Sequence, residues 1–296
     1  MVSILIPAYN IDVAHLVDVL LVQAKRLNFP FEIIIADDGS TENFEHNRLL
    51  NNKEYCSYFK FEMNKGRTAT RDWLANQAKY PWLLFVDSDT IPVHEDFYRQ
   101  YISVIKTKVH YKVALGGYAY RKIDDFHFNL RLKFGRQREE IPAHIRMKEP
   151  YRYVFSGNLL IDKSVFLSCN PKDMTGYGLD LVLSGNLNCS EVKILHIDNP
   201  VFHDGLEDNL TFLNKCRETA EQIVQFEELK LIGPEQSKLL AIRQKIISKN
   251  LRAVVRGWLW LKLPLIKLFL QVGIAPLWYL DFYKLYFALK KRDIRF

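Results

Sequence analysis

Three short stretches of this chain carry side chains suited to holding a phosphorylated ligand. Asp87-Ser88-Asp89 ends the apolar run Trp82-Leu83-Leu84-Phe85-Val86, and Asp37-Asp38 ends the run at 31–36. Asn64-Lys65-Gly66-Arg67-Thr68-Ala69-Thr70-Arg71 follows a third run. Two carboxylates one residue apart at a strand end are hard oxygen ligands of the kind Mg²⁺ or Mn²⁺ takes, and an ion held there can grip a diphosphate. A carboxylate at Asp38 can accept hydrogen bonds from a nucleobase imide or a ribose hydroxyl. Gly66 permits close backbone approach, while Arg67 and Arg71 offer forks that match phosphate or base edges. Each stretch alone also reads as an ordinary acidic or basic turn. Their order along the chain is what gives them weight.

The elements that must position them alternate between strand and helix. Residues 2–7 form a short apolar run consistent with a buried strand, and 12–27 show helical spacing through Val13, Leu16, Val17, Leu20 and Leu27. Further strands are predicted at 31–36, 58–61, 82–86 and 113–117, and further helices at 68–78 and 94–106. This alternation predicts an α/β fold with a mostly parallel sheet covered on both faces. Such sheets bind ligands at the carboxyl ends of their strands, where all three stretches fall. From 121 to 152 the periodicity fails, which suits either a functional excursion or a solvated helical insertion. Strand character resumes at 154–161 and 192–197. Helices at about 207–229 and 234–256 follow, separated by Gly233-Pro234.

The ordered set Asp-Asp, Gly-Arg, Asp-x-Asp, together with Pro7-Ala8-Tyr9-Asn10 after the first strand, resembles the family 2 nucleotide-sugar glycosyltransferases of bacterial type. Ser156-Gly157-Asn158 followed by Lys163 looks like that family's acceptor-side strand and turn, and Asn199-Pro200-Val201-Phe202-His203 like its late metal-binding segment. The resemblance implies a GT-A (Rossmann-like) mixed-sheet domain over residues 1–205, with a helical extension over 206–296. It implies inverting, Mn²⁺- or Mg²⁺-dependent transfer from a UDP-sugar to an acceptor hydroxyl. Pro7, Tyr9 and Asn10 would line the nucleotide pocket with Gly66 and Arg67. Asp38 would bind the uracil edge, with Arg71 nearby and Asp37 in support. Asp87 would contact the ribose, Ser88 would lie beside it, and Asp89 and His203 would be the metal ligands. For the general base the matching stretch is Gly176-Tyr177-Gly178-Leu179-Asp180-Leu181, where Leu179 replaces an expected acid. Asp180 is the candidate base and Asp173 the fallback, although Asp180 also suits a helix N-terminus, complementing its dipole. A nucleotidyltransferase would carry a Gly-rich loop where this chain has Pro7-Ala8-Tyr9-Asn10. A non-catalytic nucleotide-sugar-binding or membrane scaffold protein stays open because of Leu179.

Bulk composition bounds these readings. The 296 residues are 48% apolar with 13 Gly and 11 Pro, a globular balance. The four cysteines form no CxxC or zinc spacing, and Met1-Val2-Ser3-Ile4 runs directly into a strand, so a cytoplasmic protein is expected. The net charge of +7 is concentrated at one end: residues 243–296 hold 12 Lys/Arg against 2 Asp/Glu, and the rest hold 29 against 32. A basic tail on a balanced body argues against nucleic-acid binding. The tail over 257–296 is rich in Trp, Tyr and Phe. Pro264 and Pro276 interrupt it, and its longest charge-free run, 268–280, has 13 residues, short of the ~20 a spanning helix needs. Peripheral contact with the inner face of the cytoplasmic membrane is expected, with packing on the catalytic domain or a second subunit as the alternative. A membrane-proximal tail points to a glycan or lipid-linked acceptor, as in surface polysaccharide assembly.

Overall fold

The apolar runs become the inner strands of one sheet in the computed structural model, which describes residues 1–108, 110–123 and 125–290. β1 (Val2–Ala8), β2 (Phe31–Asp37), β3 (Cys56–Lys60) and β4 (Trp82–Val86) are parallel and lie in the order β3-β2-β1-β4. Then come β5 (Thr90–Pro92), β6 (Val113–Leu115), β7 (Tyr118–Ala119), β8 (Asn158–Asp162), β9 (Ile194–His196) and β10 (Val201–His203). Antiparallel β8 joins β4 to β6, and β6 pairs parallel with β9, which completes seven strands. A separate three-stranded sheet has the order β5-β10-β7. The mostly parallel α/β architecture expected from the sequence is therefore present.

Strand alternation sorts the helices onto two faces. Val2, Ile4 and Ile6 share a core with Val17 and Leu20 of α1 (Ala14–Lys25). After α2 (Phe44–Arg48) and α3 (Arg67–Gln77), α4 (Phe97–Thr107) adds Tyr98 and Tyr101 to the same core. Phe85 points the other way. Its ring centroid lies 4.6 Å from that of Phe166, on the opposite face. Both faces being covered explains why β1, β2 and β4 read as unbroken apolar runs rather than alternating ones.

Where periodicity fails the chain forms short pieces, including α5 (Asn129–Phe134), a π-helical turn (Gly135–Glu139) and α6 (Ala143–Arg146). α7 (Lys163–Cys169) and α8 (Leu179–Cys189) follow. The chain divides into two compact units that do not follow a single cut at 205. One comprises Met1–Arg121, Glu139–Thr175 and Asn186–Gly205, and the other Lys122–Arg138, Gly176–Gly185 and Leu206–Phe296. Both sheets belong to the first.

The second unit is built on α9 (Asn209–Glu228), α10 (Lys238–Ser248), α11 (Arg252–Gln271) and α12 (Leu277–Ala288). Phe212, Leu213, Ile266, Leu270, Leu280 and Tyr283 form its core. Asp208 caps α9 by accepting the Leu210 and Thr211 N–H groups at 2.9 and 3.0 Å. Arg243 and Arg252 donate to the carbonyls of Ala288 and Leu289, satisfying the end of α12. Two details differ from the sequence reading. The helix expected over 234–256 is interrupted at Asn250, whose φ of 55° is left-handed, and Pro264 lies inside a continuous α11. Pro264 costs one backbone hydrogen bond, but it sits on the exposed side while Leu259, Ile266 and Leu270 anchor the helix through buried packing. The last six residues of the expected tail, 291–296, lie outside the described residues.

A buried arginine ties three loops of the first unit together. Arg146 is 1% exposed. Its guanidinium donates to the carbonyls of Ile141 (2.8 Å), Leu115 (3.1 Å), Gly116 (3.1 Å) and Ile197 (2.6 Å). It also donates to His196 Nδ1 at 2.8 Å, while His196 Nε2 faces the Pro150 carbonyl at 2.9 Å. Nε2 therefore carries the proton and Nδ1 accepts. Burial, reinforced by the Arg146 charge, pushes the His196 pKa down to about 4. Unfolded, the ring titrates near ~6.5, so the unfolded chain binds the proton first. Stability from this group is complete above pH ~6.5 and is lost as pH falls toward 4, by on the order of 3 kcal/mol. Denaturation free energies at stepped pH will show this decline in the wild type, and His196→Asn will remove that component.

Candidate active site

The carboxyl ends of β3, β2, β1 and β4 lie along one edge of the sheet, and all but one of the expected site residues gather there or on β10. At the end of β1, Pro7 is half-buried and Tyr9 exposed. Asn10 adopts a left-handed φ of 52°, tolerable for Asn. From there its Oδ1 accepts the Thr41 and Glu42 N–H groups at 2.8 and 3.2 Å. The loops after β1 and β2 are thereby joined.

Asp37 and Asp38 divide their work by direction. Asp37 is fully buried and accepts from the Ser40 N–H (2.7 Å) and the Tyr58 hydroxyl (2.6 Å). Burial and the Asp37 carboxylate together raise the Tyr58 pKa, so this phenol stays a donor. Asp38 turns to the next loop, where its two oxygens accept the N–H groups of Lys65 (2.7 Å) and Gly66 (2.9 Å). Each Asp38 oxygen keeps a lone pair for a further donor. Arg67 opens α3 and is exposed, whereas Arg71, a turn later, is buried. Arg71 is bonded through Nη2 to Asp87 Oδ1, a partner that the sequence reading did not assign.

Asp87, Ser88 and Asp89 are all half-buried in the turn from β4 to β5. Gly157 lies beside Asp87, because β8 runs antiparallel to β4 with Val86 opposite Asn158, and the Asp87 N–H donates to the Gly157 carbonyl at 3.0 Å. A Cβ on Gly157 would stand 2.2 Å from Asp87 Oδ2 and 2.2 Å from the Tyr118 hydroxyl, so only glycine leaves room for that carboxylate. Gly205 makes the same allowance for Asp89, whose Oδ2 would lie 2.1 Å from an added Cβ. Lys163, by contrast, follows the far end of β8 and donates to the Ala78 carbonyl at 2.6 Å. It belongs to the opposite edge of the sheet, because β8 is antiparallel.

His203 arrives through the small sheet. β10 pairs antiparallel with β5, placing His203 opposite Thr90, and parallel with β7. That register brings His203 Nε2 to 3.6 Å from Asp89 Oδ2. The rings of Tyr118 and Tyr120 lie 5.6 and 5.8 Å from the imidazole. Arg121 stacks 3.9 Å over the Phe202 ring and bonds Asp204 at 3.1 Å. Asn158 anchors the approach to β10, donating to the carbonyls of Gly117 (2.8 Å) and Asn199 (3.0 Å) and accepting from the Tyr101 hydroxyl (2.6 Å). The sequence reading missed Tyr58, Tyr118, Tyr120 and Arg121. The alternation Tyr118-Ala119-Tyr120-Arg121 was the available signal, but β7 spans only two residues.

The remaining expected residue, Asp180, lies in the second unit. It sits half-buried in the first turn of α8, next to buried Leu179. Gly176 and Gly178 precede it in left-handed conformations, and the Tyr177 N–H donates to Gln222 Oε1. Asp173 is exposed in the first unit. Among the described residues no group of three or more His, Cys, Asp or Glu side chains is arranged to hold a metal ion.

A mostly parallel α/β sheet with carboxylates gathered at the carboxyl ends of its strands has the architecture of the doubly-wound α/β class, whose ligands bind at that edge. Within it, the chain belongs to glycosyl transferase family 2, whose model matches residues 3–166. Comparison with curated proteins gives no match. Among solved structures the fold is similar to S. aureus TarS 1–349 at 15% identity, covering 96% of this chain and 89% of that one, with a TM-score of 0.51. It is similar to glucosyl-3-phosphoglycerate synthase from Mycobacterium tuberculosis, in complex with Mn²⁺, UDP and glucosyl-3-phosphoglycerate, at 16% identity. That match covers 76% of this chain and 79% of the other, with a TM-score of 0.53. A third similar structure is the mannosyltransferase PcManGT from Pyrobaculum calidifontis with GDP-Man and Mn²⁺ (13% identity, 78% and 64% covered, TM-score 0.54). The chain spans only 39% of the longer TarS structure it matches.

The Arg71–Asp87 pair has a measurable signature. The side chains are 6% and 27% exposed, so removing the arginine takes the cationic partner from a half-buried carboxylate. Arg71→Met will lower unfolding stability by on the order of 2–3 kcal/mol, and Arg71→Met/Asp87→Asn will recover part of the loss. A double-mutant cycle by chemical denaturation measures both terms.

Proposed function

We propose that this chain transfers a sugar, with inversion, from a UDP-sugar to a hydroxyl of a glycan or lipid-linked acceptor, using Mn²⁺ or Mg²⁺. The observation that carries the reading is the meeting of Asp89 and His203 at 3.6 Å, where the pairing of β10 with β5 brings the histidine to the turn after β4. The donor set fits a hard divalent ion. Two ligands each ~2.1 Å from one ion lie at most ~4.2 Å apart, and this pair is within that bound. The ring nitrogen that faces Asp89 is Nε2, the one that would ligate the ion. Magnesium commonly takes one or two protein carboxylates and completes its shell with water and substrate phosphates, so two protein ligands are enough.

The bound ion would supply charge neutralisation on the departing diphosphate. The chain's own residues divide the other tasks. Asp38, fixed by the Lys65 and Gly66 N–H groups, would accept from the uracil imide, and Asp37 would hold the strand end beneath it. Asp87, oriented by Arg71, would accept from a ribose hydroxyl beside Ser88. Pro7, Tyr9, Asn10 and Arg67 would wall the nucleotide. Asp180 would take the proton from the attacking acceptor hydroxyl, and a single in-line displacement inverts the sugar carbon. The Mn²⁺- and UDP-bound relative supports a uridine donor, and the basic, aromatic tail supports action at the inner face of the cytoplasmic membrane. The catalytic domain would cover 1–205 and the helical extension 206–296. A non-catalytic nucleotide-sugar binder is the second reading, favoured by Leu179 in place of an acid.

A screen of UDP-hexoses and UDP-N-acetylhexosamines with Mn²⁺, GDP-mannose as control, read by nucleotide release, separates the two. Asp89→Ala and His203→Ala will lower kcat/KM at least about 100-fold and weaken Mn²⁺ binding. Full metal-dependent transfer by Asp89→Ala would remove that assignment. Asp180→Asn will bind UDP normally while transfer falls about 10²–10⁴-fold; normal turnover ends its role as base. Tight UDP binding with no turnover on any acceptor favours the second reading.

A further inference from the structure

The outer face of α11 carries an apolar stripe that the fold leaves uncovered. Val254, Trp258, Leu261, Leu265, Leu268 and Val272 are all exposed, two of them by 68%. Their spacing alternates four and three residues, which keeps them on one side of the helix over its whole length. Leu259, Ile266 and Leu270, on the other side, are buried in the second unit. This face is therefore not a core stripe turned outward by error: the helix has two apolar faces, and only one is used by the fold. A row of six exposed apolar side chains along one helix face marks a binding face.

Charge identifies the occupant. α11 itself holds Arg252, Arg256, Lys262 and Lys267 and no Asp/Glu, and exposed Lys262 and Lys267 flank the stripe. Helices that pair through such a stripe normally match opposite charges along its borders. A second copy packing its α11 against this one would bring only like charges to that border. An anionic lipid surface meets both requirements, taking apolar side chains below its headgroups and basic ones among them. Trp258, Trp260 and Trp278 are each exposed by half or more, and indoles favour that headgroup level. No described helix is long and apolar enough to cross a membrane. A helix of 20 residues spans ~30 Å and fits lying in the plane.

We propose that α11 binds the surface of a bilayer containing anionic phospholipid, parallel to the membrane, through the stripe from Val254 to Val272. The proposal rests on the membrane-side reading of the tail given above but not on the donor site, and its test involves no sugar transfer. The full chain is floated with vesicles of phosphatidylcholine alone or mixed with phosphatidylglycerol, and its tryptophan emission is followed. Binding to the mixed vesicles with a blue shift is expected, together with weakening as salt screens the charges. Leu261→Glu/Leu265→Glu will reduce partitioning at least about tenfold, and Lys262→Glu/Lys267→Glu will reduce it chiefly for the anionic vesicles. All four side chains are exposed, and circular dichroism verifies that the variants remain folded. Failure of the folded wild type to float with mixed vesicles overturns the proposal. So does a concentration-dependent dimer, lost in Leu261→Glu/Leu265→Glu, from a chain that does not float, which would make a second copy the occupant.

Discussion

The antiparallel pairing of β10 with β5 is the constraint on which the rest of the site depends. Both strands have three residues, and β5 begins one residue after Asp89. A register with His203 opposite Thr90 sets imidazole and carboxylate side by side. A shift of one residue would turn His203 to the other face of the sheet. Three-residue strands supply few ladder bonds, so the register needs outside support. Asn158 supplies it by bonding both Gly117, which leads into β7, and Asn199, which leads into β10. Arg146 holds the neighbouring carbonyls of Gly116 and Ile197 from below.

The carboxylates at the strand ends are pre-organised: Asp37 and Asp38 each already accept two hydrogen bonds, and Asp87 is paired with Arg71. Asp37, Asp38 and Asp87 are not loose surface acids: hydroxyl, backbone N–H and guanidinium groups fix their orientation before any ligand arrives. Fixed dipoles need no reorganisation when a ligand enters. The two glycines at 157 and 205 serve the same end by exclusion, leaving space where any side chain would push a carboxylate aside.

The inner strands were legible because a strand buried on both faces must be apolar throughout. The predicted 82–86 matches β4 residue for residue, and the acidic turns mark strand ends because the sheet stops where charge begins. The small sheet was not legible. β5, β7 and β10 have two or three residues each, too few for any period to register. β8 begins at Asn158 rather than 154, because Ser156 and Gly157 form a turn directly before it. Its antiparallel direction, which removes Lys163 from the ligand edge, has no local signal at all. Likewise Arg71 read as a phosphate or base fork, since nothing in its neighbours announces a pairing with Asp87 sixteen residues away. The expected strand at 31–36 and the turn after it were enough to find Asp37 and Asp38, while the division of work between them came from the family resemblance and not from the local pattern.

The chain order of the site has a consequence for synthesis. β1 to β4 are contiguous, so most of the ligand edge is assembled from the first ninety or so residues. His203 comes from the last strand, more than a hundred residues later, and its neighbour Arg121 also waits for Asp204. Long-range contacts of this kind form after local ones, because closing the larger loop costs more entropy. A nascent chain therefore folds its sheet as an incomplete cradle. The histidine acts as a closing stitch, and until it is drawn the acidic turn after β4 lacks its imidazole neighbour.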